Sequence, residues 1–222
     1  MMDTIIKILE RYGTVYMQGL AGPLWLAAIT VVLGTAVGTL LAVLRLSRVR
    51  VFQWFVKAYV WVLRGTPILL QLYFFWIFLP KVMPFSLSDT ACIIVALIIN
   101  ASSYVAEIIR AGIQAVDKGQ TEAARSLGLT AGHTMSKVVL PQAVKNILPA
   151  LGNEFINMIK QVSLASVFFI NELTTSYRTV LAATYRPIEA IVIAGMIYLL
   201  VTTVLSQIVE LAEWRMRKNE RC

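Results

Sequence analysis

Five apolar runs, each carrying few or no charges and each long enough to cross a bilayer, fall near residues 20–44, 54–79, 90–115, 144–171 and 188–211. Lipid offers the backbone no hydrogen-bond partners, so a segment inside it must satisfy its own N–H and C=O groups. The runs are continuous and rich in Leu, Ile, Val and Ala, without the in-out alternation of a membrane β-barrel, so the spans are helices. With 58% hydrophobic and only 14% charged residues, the chain is too oily for a soluble domain. The expected fold class is therefore all-α: a polytopic membrane protein whose single transmembrane domain, residues 19–211, holds about five transmembrane helices.

Outside that domain, residues 1–18 set Ile5, Leu9, Tyr12 and Tyr16 at helical spacing, with Asp3, Lys7, Glu10 and Arg11 largely elsewhere. This pattern predicts an amphipathic helix lying at the outer membrane face. Asp3 and the mixed charge around it are unlike the basic start of a cleavable signal peptide. One side of a five-span topology receives Arg45, Arg48, Arg50, Lys57, Arg110, Lys118, Arg125, Lys137, Lys145, Arg215, Arg217, Lys218 and Arg221. The other receives only Lys7, Arg11, Lys81, Arg178 and Arg186. The richer side is cytoplasmic, which puts the N-terminus outside and residues 212–222 inside as a cytoplasmic tail. Topology and membrane lipid account for the net charge of +8, and no nucleic acid partner is needed.

Cys92 and Cys222 fall at opposite ends of this topology and cannot bridge within one chain. With a single histidine, His133, and no paired ligand spacing, no metal site is expected. On the first span Thr30, Gly34, Gly38 and Ala42 recur every four positions, the spacing that lets membrane helices approach closely.

A polar insert over 116–141 separates the third and fourth runs. Within it Thr121 is placed to cap a short helix, Glu122 suits its positive end, Ala123 and Ala124 favour helix, and Gly128 ends it. Such a helix forms a compact knob in water. The pattern Glu122-Ala123-Ala124, three residues, Gly128, nine residues, Val138, one residue, Leu140-Pro141 resembles the EAA signature of permease subunits of ATP-binding-cassette (ABC) importers of type I. Valine stands where that signature usually has isoleucine, a loss of one methylene. The resemblance implies a coupling helix that docks in a cleft of a cytoplasmic ATPase, with Glu122, Ala123, Ala124, Gly128, Leu140 and Pro141 as the coupling residues.

A second stretch, Arg64-Gly65-Thr66-Pro67-Ile68-Leu69-Leu70-Gln71, together with Asn153-Glu154-Phe155 and Ser163-Leu164, resembles the polar amino-acid uptake branch of those permeases. Physically, Gly65 and Pro67 interrupt the second helix, because proline lacks a donor and clashes with the preceding turn. Arg64 then lies toward the cytoplasmic half, where it snorkels to headgroups or serves a gate.

Two polar stripes mark a candidate path. Asn100, Ser103, Glu107 and Arg110 share an arc of about 80° on the third span. Asn153, Glu154, Asn157, Lys160 and Gln161 share about 120° on the fourth. Ionisable groups within a span are costly and serve function or hold helices together. The candidate substrate-path residues are Asn100, Ser103, Glu107, Glu154, Asn157, Lys160, Gln161 and Ser163. Glu107 and Glu154 suit an α-amino group; Lys160, Asn100 and Ser103 suit a carboxylate. The competing reading pairs Glu107 with Arg110 and Glu154 with Lys160 as structural glue. Gln161 stands where, by resemblance, many relatives have an acid, which weakens the case for a strongly cationic substrate.

No Gly-x-x-x-x-Gly-Lys-Ser/Thr stretch and no paired nucleophile and base occur, so the chain is not expected to be an enzyme or to bind a cofactor itself. The resemblance places ATP and Mg on partner ATPase subunits. It also implies a second permease subunit (identical or related), an external solute-binding protein and a polar amino-acid substrate at a bacterial cytoplasmic membrane. Glutamine, glutamate, cystine, arginine and histidine all stay open as substrates. The rival class is an ion-gradient-driven secondary transporter or channel, whose usual inverted repeat is missing here.

Overall fold

The computed structural model describes residues 1–47 and 49–218, the side chains of Arg217 and Lys218 excepted. Arg48, Arg221 and Cys222, on which the orientation and thiol arguments drew, lie outside the described residues. In chain order the helices are α1 (Met2–Leu46), α2 (Arg50–Gly65), α3 (Ile68–Val82), α4 (Asp89–Gln114), α5 (Lys118–Ser126), α6 (Ala131–Thr134), α7 (Leu140–Val162), α8 (Leu173–Thr184) and α9 (Pro187–Lys218). A π-helical turn, Met135–Val139, joins α6 to α7, and a 3₁₀ turn, Ser163–Phe168, follows α7. Among the described residues all regular structure is helical.

The tightest seam is between α1 and α4, and small residues make it. Thr30, Gly34, Gly38 and Ala42 are all buried. A Cβ added to Gly34 would sit 2.9 Å from the Ala101 methyl, and one on Gly38 would sit 2.8 Å from the Ser102 carbonyl oxygen. Around the seam, Leu26, Leu72, Ile93, Leu97, Met158 and Ile159 form the main core without contact with the surroundings.

Three departures from the expected layout have physical causes. The surface helix expected over 1–18 is not a separate element, because α1 runs unbroken from Met2 to Leu46 with Pro23 inside it. Ile5, Ile8, Tyr12 and Tyr16 pack on α8 and α9 rather than on lipid, and the Tyr16 hydroxyl donates to the Ala190 carbonyl at 3.0 Å. A straight helix of that length would extend about 68 Å, roughly twice the hydrocarbon layer, so one end still leaves the apolar zone. The segment expected to span at 54–79 is two helices bent by 110° at Thr66-Pro67. Gln71 repairs the break: its Nε2 donates to the Leu63 carbonyl at 2.7 Å and to the Thr66 carbonyl at 3.1 Å. The connection after the fourth run holds a further helix, α8, where no apolar run predicts one; Glu172 caps it by accepting from the Thr175 amide at 2.8 Å.

Three of the described helices, α1, α4 and α9, are long and apolar enough to cross a membrane, or four spans if α2 and α3 count as one. The fourth expected span corresponds to α7, which is outside this set of strongly apolar helices. Its polar residues are those of the fourth-span stripe.

Gly38→Val should lower the melting temperature of the detergent-solubilised protein, with a loss of about 1–3 kcal/mol from overpacking. Gly65→Ala, whose Cβ would meet nothing within 4 Å, should leave it unchanged.

Candidate translocation and coupling sites

The polar insert folds as a knob. Asp117 caps α5 by accepting from the Gly119 amide at 2.7 Å, so the helix starts earlier than the cap expected at Thr121. An aspartate four residues upstream wins because it also faces the helix's positive end. Gly128 closes α5 in the left-handed region, φ 86°. The Gly128 amide then bonds the Arg125 carbonyl and the Leu129 amide bonds the Ala124 carbonyl, a Schellman closure that fixes the turn. Ala124 is buried beneath the turn, while Glu122, Ala123 and Gly128 are exposed.

Leu127, at the tip between them, is 83% exposed. Sequence reasoning passed over Leu127; a leucine between a helix end and a glycine in a polar insert was the available signal. Leu140 and Pro141 are exposed at the start of α7, after the π turn, and the side chains of Val139 and Thr134 turn inward. A cleft of about 750 Å³, lined by Ile113, Lys118, Thr121, Arg125 and Met135 among others, separates α5 from the end of α4 and the α6 turn. His133 is exposed on α6, and its Nδ1 pairs with the Thr130 hydroxyl at 2.9 Å.

The α4 stripe divides into two environments. Asn100 is 2% exposed and Ser103 fully buried; Asn100 donates through Nδ2 to Gln71 Oε1 at 2.8 Å, and Ser103 bonds the Asn100 carbonyl. Half a helix further on, Glu107 is the meeting point of three arginines. Arg45 of α1 bonds it at 2.7 Å, Arg110 of α4 chelates its other oxygen, and Arg64 of α2 stands 4.0 Å away. The expected Glu107–Arg110 pair is present, and Arg45 and Arg64 join it from outside the stripe. An arginine at the end of α1 and one at the end of α2 were the signal for that convergence.

The α7 stripe stays open. Asn153, Asn157 and Lys160 are exposed along one arc, Gln161 and Ser163 are half-buried, and Glu154 is 5% exposed. The alternative Glu154–Lys160 pair does not form; the ion pairs seen here join Arg45, Arg64 and Arg110 to Glu107. Asn100 Oδ1, Glu154 Oε1 and Gln161 Oε1 are buried with no hydrogen-bond partner. All three are acceptors, on α4 and α7, two helices in direct contact. The Thr30 and Thr134 hydroxyls are likewise buried without a partner; buried polar atoms are almost always paired, so the three acceptors on α4 and α7 are candidates for donors from outside the chain.

An all-helical membrane bundle with a polar knob outside it and an open polar arc within it defines a permease subunit. The chain belongs to the family of inner membrane components of binding-protein-dependent transport systems, whose model matches residues 34–218, and is a permease subunit of an ABC importer. It is 37% identical to the arginine transport system permease protein ArtQ of Bacillus subtilis, over 92% of this chain and 93% of that protein. It is 38% identical to the nopaline transport system permease protein NocM of Agrobacterium fabrum, over 89% of this chain and 86% of that one. A crystal structure of an amino acid ABC transporter with histidines superposes with a TM-score of 0.89 at 40% identity, covering 93% of this chain and 96% of that chain.

Glu107→Gln should destabilise the solubilised protein by about 1–3 kcal/mol, because three guanidinium groups lose their carboxylate. Arg64→Gln should cost less than about 1 kcal/mol, since that arm is longer and more exposed. Thermal melting of the two variants side by side checks the order.

Proposed function

We propose that this permease carries a polar amino acid across the cytoplasmic membrane by alternating access, driven by a separate ATPase that grips α5. The observation that carries the substrate class is the trio of unpaired acceptors, Asn100 Oδ1, Glu154 Oε1 and Gln161 Oε1. Acceptors without donors fit a substrate that brings an ammonium or amide N–H, and an α-amino acid brings one in every case. Glu154 supplies the charge for the α-amino group; Asn157, Lys160 and Ser163 line the open arc beside it. Asn100 and Ser103 shape the wall from α4, and Glu107 holds the helices in register. The names of the relatives, arginine and nopaline permeases among them, support an amino-acid substrate and leave its side chain open.

Coupling follows from the knob. Glu122, Ala123, Leu127 and Gly128 present a small polar-apolar tip to an ATPase cleft, while Ala124, Leu140 and Pro141 set its base. ATP and Mg belong to that partner; this chain contributes no phosphate-binding loop. Among the described residues nothing covers Asn153, Asn157 and Lys160 of α7, so a second permease subunit, identical or related, completes the path. A solute-binding protein delivers substrate to the outer face, with the N-terminus outside and the α5 knob in the cytoplasm. ATP closing the cassettes draws the paired knobs together and turns the path outward; hydrolysis turns it back.

Glu154→Gln should reduce uptake of the cognate amino acid into proteoliposomes at least tenfold while leaving the melting temperature unchanged or higher, because a buried neutral amide costs less than a buried carboxylate. Uptake at the wild-type rate would remove Glu154 from the path. Leu127→Asp should leave folding intact, given its exposure, yet break the link between ATP hydrolysis and uptake; measuring both in the assembled transporter decides it.

A further inference from the structure

Between Glu10 and Asp89 the sequence holds no acidic residue, yet Arg45, Arg48, Arg50, Lys57 and Arg64 fall within 20 residues. Glu107 answers two of these cations, Arg45 and Arg64. Arg50 and Lys57 find no carboxylate among the described residues. Both lie on α2, seven positions apart and so within about 20° of each other around its axis.

The rest of that helix explains what kind of anion would answer them. Val56, Val60 and Leu63 face the bundle, while Val51, Trp54, Phe55 and Trp61 are 61% to 77% exposed on the other side. Trp54 and Trp61 stand on either side of Lys57, and with Ala58 the three line a hollow of about 300 Å³. The Lys57 ammonium lies 5.7 Å from the Trp54 ring centroid. The bend of 110° from α3 turns α2 away from the direction of a straight span.

We infer that the outer face of α2 is a binding site for an anionic phospholipid of the cytoplasmic leaflet. The headgroup phosphate is held by Lys57 and Arg50, and the acyl chains lie against Val51, Trp54, Phe55 and Trp61. A soluble anion would satisfy the charges and leave this apolar skin bare; a zwitterionic lipid would cover the skin and leave two cations without a net counter-charge. Tryptophan and a basic side chain together are the usual composition of the headgroup boundary. The site touches the translocation apparatus directly: α2 ends in Arg64, which approaches Glu107 and covers the Tyr104 ring at 5.2 Å. The leaflet assignment rests on the orientation given above.

The test uses the intact transporter, assembled with its partner subunits and carrying Cys222→Ser. Phosphatidylglycerol, phosphatidylcholine and inorganic phosphate are titrated onto the solubilised wild type and onto an Arg50→Gln, Lys57→Gln double variant, and bound species are counted by native mass spectrometry. The apparent affinity for phosphatidylglycerol should fall about fivefold for each charge removed, with phosphatidylcholine unaffected and phosphate bound by neither protein. Equal phosphatidylglycerol retention in both proteins overturns the site, and so does phosphate binding as tight as the lipid.

Ala58→Cys is then labelled with a membrane-impermeant maleimide in sealed vesicles. Labelling from the cytoplasmic side is expected; labelling only from outside overturns the orientation while the retention data still judge the site. A disulfide between Ala58→Cys positions of two copies would also overturn the inference, by giving this face to a second permease.

Discussion

Hydrocarbon supplies no hydrogen bonds, and the whole molecule is organised by that shortage. Where the second apolar run breaks at Thr66-Pro67, Gln71 reaches back to carbonyls that the lost turn leaves free. The same glutamine then accepts from Asn100, so the repair of α2 and α3 is tied to α4 at the depth of the candidate path. Glu107 makes the analogous ionic tie about two turns nearer the helix end, collecting Arg45, Arg64 and Arg110 from α1, α2 and α4. Breaking one arm of such a cluster costs more than making it gains, because the survivors stay desolvated. The cluster therefore specifies register between the three helices more than it adds stability.

Against this background of satisfied groups, the unsatisfied ones stand out. Glu154 lies on a helix that already displays Asn153, Asn157 and Lys160, and none of the described cations forms an ion pair with it. Natural bundles do not retain a carboxylate with a free buried oxygen for packing, since any apolar residue would be better there. The same logic, reversed, applies to α5. It is polar throughout, nearly every side chain is in water, and its two ends are closed by Asp117 and by the Gly128 turn. A nine-residue helix closed at both ends holds its shape without help from the bundle, as the proposed coupling role requires.

Much of this was legible in the sequence because membrane folding is written in simple periodicities. The Thr30, Gly34, Gly38 and Ala42 ladder reads directly as a close helix seam, for which the structure supplies α4 as the partner, and Gly65-Thr66-Pro67 reads as a break. The size of the bend at that break was not legible, since it depends on how Gln71 and the α4 surface receive the freed carbonyls rather than on the proline alone. The N-terminal segment was misread for a related reason. Ile5, Tyr12 and Tyr16 have the spacing of a helix on a lipid surface, and nothing local distinguishes lipid from the apolar faces of α8 and α9. Likewise α8 is short and only moderately amphipathic, and its buried Glu172 cap gains meaning only once Tyr198 of α9 is seen to donate to the same carboxylate at 2.9 Å. Stripes and caps are sequence properties; partners are not.

Arg64 shows how the pieces combine. Arg45 and Arg110 already occupy both oxygens of Glu107, so the third guanidinium gains little from staying there, and its side chain is 43% exposed. It is also the last cation before the break, on a helix whose outer face is apolar and basic. Any change in the tilt of α2 is therefore felt first at Arg64, the longest arm of the cluster and the one with the least to lose. A shift of that arm changes how Glu107 is held at the junction of α1, α2 and α4. The bend and the ionic cluster thus join the membrane-facing side of α2 to α4, the helix that packs against the polar arc of α7.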